Sequence, residues 1–170
     1  MKTLVIHPKD ITTDFLSDIY SDKDWTVINI NVSKSFLKKQ IKEHDRIVML
    51  GHGTGDGLIG FKRLIIDSNY VYLLRDKITV CIWCNADNFV KKYDLKGFYT
   101  GMIISEMDEA NLYSLYETSQ ANITASNILF ATAIKNAIDS DDMLSVVQQK
   151  YKKDDNNIVN FNKERIWQRI

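Results

Sequence analysis

The stretch RIVMLGHGTGDG (residues 46–57) decides how the rest of the chain is read. An apolar run, Arg46 to Gly51, stops at a histidine set between glycines. Four of the chain's seven glycines and one of its three histidines fall within residues 48–57. A loop that only reverses the chain needs one or two glycines and no imidazole. The run has no wet face and reads as a strand buried on both sides, as in a parallel sheet.

A second segment, ITVCIWCNAD (78–87), has the same form: an apolar strand, Ile78 to Trp83, that runs into Cys84. Outward from these two, the pattern alternates. Thr3 to His7 is a short strand closed by the only proline. Asp10 to Tyr20 has Ile11, Phe15 and Ile19 on one helical face, with Thr12 or Thr13 as cap. Trp25 to Val32 is strand-like, and Ser33 to Glu43 is an amphipathic helix. Gly57 to Phe61 and Arg63 to Ile66 suit a hairpin, and Ser68 to Arg75 a short helix. Ala86 to Tyr93 is helical and Gly97 to Ser105 a fifth sheet strand. Beyond it Glu106 to Tyr116, Ala121 to Ile138 and Asp141 to Tyr151 read as helices. A polar tail follows whose Ile166-Trp167 pair docks on the body.

The expected fold is therefore α/β: a three-layer sandwich around a mostly parallel five- or six-stranded sheet. Residues 1–170 form one domain, with a sheet core in 1–105 and a helical part in 106–170. In such sheets ligands bind beyond the carboxyl ends of the strands. His52 and Cys84 both fall there, on what should be neighbouring strands about 4.8 Å apart. A thiol facing an imidazole is what nucleophilic cysteine chemistry requires. Gly53, having no side chain, lets its backbone N–H approach a developing oxyanion.

Lys and Arg equal Asp and Glu at 22 each, so no overall field favours nucleic acid or anionic lipid. Two cysteines and no signal-like or membrane-length apolar segment point to a cytoplasmic chain without disulfides. Cys81 and Cys84 mimic a CxxC pair, but three positions along a strand face opposite sides, so no metal or cofactor is expected. GHGTGDG fits neither a dinucleotide fingerprint nor a P-loop. His7 reads as turn capping and His44 as solvated.

The order of parts resembles the caspase-like (clan CD) cysteine peptidases, the group of caspases, metacaspases, legumain, gingipain, separase and CHAT domains. In that group an apolar strand ends in His-Gly, followed by a glycine-bearing hairpin, a helix, and an apolar strand ending in Cys. Here these pieces are IVMLGHG, TGDGLIGF, DSNYVYLLRDK and ITVCIWC. The family pattern also calls for at least one more strand beyond Ser105, where this sequence reads mainly as helix.

The resemblance implies a Cys84–His52 dyad that cleaves peptide bonds of a polypeptide substrate through a thioester. It places the backbone amides of Gly53 and Cys84 in an oxyanion hole. It draws attention to Asp10 and Asp14, after the first strand, as candidates for substrate binding that match no family motif. Asp56, Asn85 and Glu106 are further candidates along the same edge. Arg46, Arg63 and Arg75 do not match the arginine constellation that reads aspartate in caspases, so that specificity is not carried over. Two other readings stand beside this one. One is a non-catalytic domain binding a nucleotide, peptide or protein at this edge; the other is a small-molecule hydrolase or transferase using Asp10, Asp14 or Glu106. The aromatic residues of the second half suit either a homodimer face or a core.

Overall fold

A computed structural model describes residues 1–170. In chain order the first half contains β1 (Thr3–Ile6), a 3-10 turn (Asp14–Ile19), β2 (Thr26–Ile28), α1 (Lys34–Glu43) and β3 (Arg46–Leu50). The small strands β4 (His52–Thr54), β5 (Gly57–Gly60) and β6 (Arg63–Ile66) come next, then α2 (Val71–Leu74) and β7 (Ile78–Ile82). They are followed by α3 (Ala86–Tyr93), β8 (Gly97–Thr100), α4 (Met107–Leu112) and α5 (Gln120–Ala137). The chain closes with α6 (Met143–Lys150), α7 (Asn157–Lys163) and β9 (Ile166–Arg169).

Six strands form one mixed sheet in the order β2-β1-β3-β7-β8-β9, and β4-β5-β6 form a separate antiparallel sheet. Five strands of the large sheet are parallel; only β9 runs against its neighbour β8. Strand alternation divides the core into two layers. Leu4, Ile6, Ile47, Met49 and Cys81 point into one cluster with Leu37, Ile41, Leu74 and Phe89. Val5, Val48, Leu50, Val80 and Ile82 point into the other with Leu16, Phe130, Ile134 and Val147. The sheet is the middle of three layers, which is why β1, β3 and β7 carry almost no polar residue.

Several boundaries differ from the sequence pattern, each for a local reason. The first helical segment shrinks to the 3-10 turn because Asp10 Oδ1 accepts the Thr12 N–H at 2.9 Å, an Asx turn that competes with a helix start. The fifth sheet strand stops at Thr100. Ile104 then donates to and accepts from the buried Asn162 side chain, at 2.7 and 2.9 Å, in place of a ladder. The polar tail forms α7 and a sixth strand, so residues 106–170 are not purely helical: Ile166 to Arg169 pair with Thr100 to Gly97. Asn156 caps α7 by accepting from Ile158 and Val159.

His44, expected in solvent, is instead buried. Its Nδ1–H donates to Gln40 O at 2.7 Å and its Nε2 meets Thr26 Oγ1 at 3.0 Å. His7 is also buried, its ring bonded to the Tyr20 hydroxyl at 2.9 Å and to Thr13 Oγ1 at 3.2 Å. Its burial pushes its pKa down. No helix is long and apolar enough to cross a membrane.

Candidate functional site

Strand register sets the site. Leu50 pairs with Ile82 across β3 and β7, and Gly51 N–H continues the ladder to Ile82 O at 3.1 Å. Two residues beyond that pair in sequence stand His52, the first residue of β4, and Cys84, in the turn that follows β7. Both line one cleft with Thr13, Phe15, Ile103, Ser105 and Glu109. Gly51, at φ +140°, turns the chain from β3 into β4 through a conformation that only glycine adopts readily.

Trp83 fastens the two segments together. Its indole Nε1–H donates to Thr54 O at 3.0 Å, and its own carbonyl accepts from Thr100 Oγ1 at 3.0 Å. A Cβ at Gly53 would lie 2.1 Å from Trp83 Cδ1, so glycine is required there for close packing. The small sheet bearing His52 is thus pressed onto the residue that precedes Cys84. Directly after it, Asn85 adopts φ +64° and turns the strand into α3 without capping it by its side chain. The Cys84 amide N–H donates to no backbone or side-chain acceptor, so it is free for an oxyanion.

The Cys84 thiol is partly exposed and donates to Ile103 O at 3.7 Å; His52 is not its hydrogen-bond partner. Burial, followed by the Glu109 and Glu106 carboxylates, pushes its pKa up to about 11. Cys81 points to the other face, fully buried, with its thiol raised to about 12. The cleft over Cys84 encloses about 30 Å³, room for water but not for a peptide side chain.

His52 is engaged elsewhere. Its Nε2 lies 2.6 Å from Thr12 Oγ1 and 3.9 Å from Asp10 Oδ1, and Thr12 Oγ1–H donates to Asp10 at 2.7 Å. Its Nδ1 has no hydrogen-bond partner. The Thr12 hydroxyl, then its N–H, hold the Asp10 carboxyl below the ordinary carboxylate value. Glu106 stands close enough to His52 and Asp10 to feel both charges; burial, then Glu109, raise its pKa. Glu109 Oε2 accepts from Ser105 N–H at 2.7 Å and Glu106 N–H at 3.1 Å, which fixes the acidic wall.

Of the candidates, His52, Gly53, Cys84, Asn85, Asp10 and Glu106 gather around this edge. Asp14 opens the 3-10 turn and borders a groove with Ser17, Asp18 and Ile128 instead. Asp56 is exposed in the β4–β5 turn, its N–H bonded to Thr54 Oγ1. Trp83, Ile103 and Glu109 were not singled out from sequence, and Thr12 was read only as a helix cap. An Asp-Ile-Thr in the loop that follows a strand is a signal that would have found Thr12. No lysine or arginine lines the cleft. Arg46 lies at the opposite end of the sheet and Arg63 bonds Asn31 and Val32.

No group of three or more His, Cys, Asp or Glu side chains is arranged to hold a metal ion. No known protein family matches the chain, and neither does any curated protein or solved structure.

Proposed function

We propose that the protein is a caspase-like cysteine peptidase with Cys84 as nucleophile and His52 as general base and acid. The observation that carries this is the common cleft of His52 and Cys84 at matching positions beyond paired strands. The hairpin, helix and cysteine-ended strand in the family's order support it, as does a strand beyond Ser105.

In this reading His52 takes the Cys84 proton and the thiolate sulfur attacks the substrate carbonyl carbon. The oxyanion forms against the amides of Cys84 and Gly53. The tetrahedral intermediate collapses as the imidazolium gives its proton to the departing amine, leaving a thioester on Cys84. Water then loses a proton to His52 and its oxygen attacks the thioester. The carboxylic acid departs and the sulfur recovers the proton. The neutral thiol and narrow cleft describe a resting form. A peptide must displace the Ile103–Glu109 wall to reach the sulfur.

A peptidyl chloromethyl ketone or acyloxymethyl ketone should add one inhibitor mass at Cys84, and none in Cys84→Ala of unchanged circular dichroism. With no cation lining the cleft, an aspartyl electrophile is expected to label more slowly than a lysyl or arginyl one. Labelling at Cys81, or none at any pH, removes the peptidase reading. The raised thiol and small cavity favour one alternative: a non-catalytic domain that binds a nucleotide, peptide or protein at this edge. It predicts no labelling by these peptidyl electrophiles.

A further inference from the structure

The bond between Thr12 and His52 has a consequence for the chemistry of the ring. A threonine hydroxyl has one proton, and that of Thr12 is directed to the Asp10 carboxylate at 2.7 Å. Toward His52, at 2.6 Å, the same oxygen is left only its lone pairs. Nε2 must therefore carry a hydrogen and donate it. That leaves Nδ1 as the nitrogen with a lone pair, and Nδ1 has no partner in the protein.

We propose that Thr12 and Asp10 are positioning residues for His52: they hold the hydrogen on Nε2 and leave Nδ1 to take the Cys84 proton. The proposal rests on the Cys84–His52 reading and adds to it which ring nitrogen reacts and what orients it. The transfer is balanced. The Sγ–H proton moves to Nδ1, giving a thiolate and an imidazolium whose Nε2–H still points at Thr12. The Asp10 charge lies 3.9 Å from that nitrogen and stabilises the cation through the hydroxyl. The turn itself is braced from inside. Thr13 Oγ1–H donates to Asp10 O at 3.3 Å, and the buried His7 ring meets Thr13 Oγ1.

The test uses iodoacetamide, which needs no peptide recognition. Alkylation of Cys84 in the full chain is followed by mass spectrometry across pH in wild type, His52→Ala, Thr12→Val, Thr12→Ser and Asp10→Asn. At neutral pH Thr12→Val should slow alkylation on the order of tenfold, toward the rate of His52→Ala, and Thr12→Ser should restore it. Asp10→Asn keeps an acceptor for the hydroxyl and should fall between. Near the thiol value of about 11 all rates should converge, since the thiolate then forms without a base. The groups facing the sulfur, His52, Glu106 and Glu109, are otherwise unchanged. A hydrogen-bonded imidazole N–H proton resonance, present in wild type and Thr12→Ser and absent in Thr12→Val, should accompany this. If Thr12→Val and Asp10→Asn react like wild type while His52→Ala is slow, the positioning role is overturned and the dyad stands. If His52→Ala reacts like wild type, the dyad itself is overturned, and the relay with it.

Discussion

The two rims of the large sheet carry similar residues and treat them oppositely. At the amino rim Arg46 is only 4% exposed, yet each nitrogen of its fork has a target. Nε–H goes to Thr3 Oγ1, one amino group to Ile138 O and the other to Asp139, while the guanidinium stacks on Trp25 at 4.8 Å. His44 beside it uses both ring nitrogens, and Lys77 donates to His44 O at 2.6 Å. At the carboxyl rim His52 leaves one nitrogen unbonded, the Cys84 amide has no acceptor, and the Asn85 side chain makes no cap bond. Buried polar groups are normally satisfied. A rim where they are satisfied is scaffold; a rim that leaves half-buried donors and bases open is where chemistry has room.

The largest expected break in this contrast is Arg46→Leu. It orphans Thr3 Oγ1 and Ile138 O and should cost about 3 kcal/mol of unfolding free energy, read from urea midpoints. Alkylation of Cys84 in the folded variant should not change. A variant that loses both would show that the two rims are coupled through the sheet. Next in size is Gly53→Ala, where the methyl meets the Trp83 ring. Overpacking of this kind costs about 1–3 kcal/mol, and here the strain falls on the strand that carries His52. Cys84 alkylation at neutral pH should drop together with stability.

The smallest effect concerns the thiol itself. The folded Cys84 value of about 11 lies above the ordinary 9.0, so the folded state holds this proton more tightly than the unfolded chain. The stabilisation is complete below pH 9 and is lost as pH rises through 11. Comparing urea midpoints near pH 8 and pH 10, wild type should lose about 1 kcal/mol more than Cys84→Ala. An equal loss in both would mean that the thiol is solvated as in the unfolded chain. Cys81, raised to about 12 on the opposite face, should contribute its own loss equally to both proteins.

What the sequence carried was periodic. The nearly continuous apolar runs of β1, β3 and β7 announced a parallel sheet, and the hairpin over residues 57–66 was visible in its glycines and turn. His52 and Cys84 were legible because each ends such a run, so sheet geometry alone brings them to one edge. The rest was tertiary. Nothing local in KKDDNNIVNFNKERIWQRI marks Ile166–Arg169 as a strand, since its partner Gly97–Thr100 lies far back in the chain. The burial of His44 depends on Thr26, which no periodic spacing joins to it. The wall of the cleft hangs on Asn162, whose amide clamps Ile104 and meets the Tyr151 hydroxyl at 3.1 Å. Such buried side-chain bridges leave no periodic trace. The half-buried Thr12 bond to His52 is likewise tertiary, and only its Asp-Ile-Thr turn was readable.

The late pairing of β9 also bears on how the chain is made. On a ribosome, Gly97–Thr100 emerges long before Ile166–Arg169 exists to cover it. Throughout that interval β8 is the bare margin of a nascent parallel sheet, with backbone donors and acceptors facing outward. Such a margin accepts any extended segment, including the same strand of a neighbouring nascent chain. The antiparallel closure therefore does more than add a strand: it ends the period in which synthesis is exposed to aggregation.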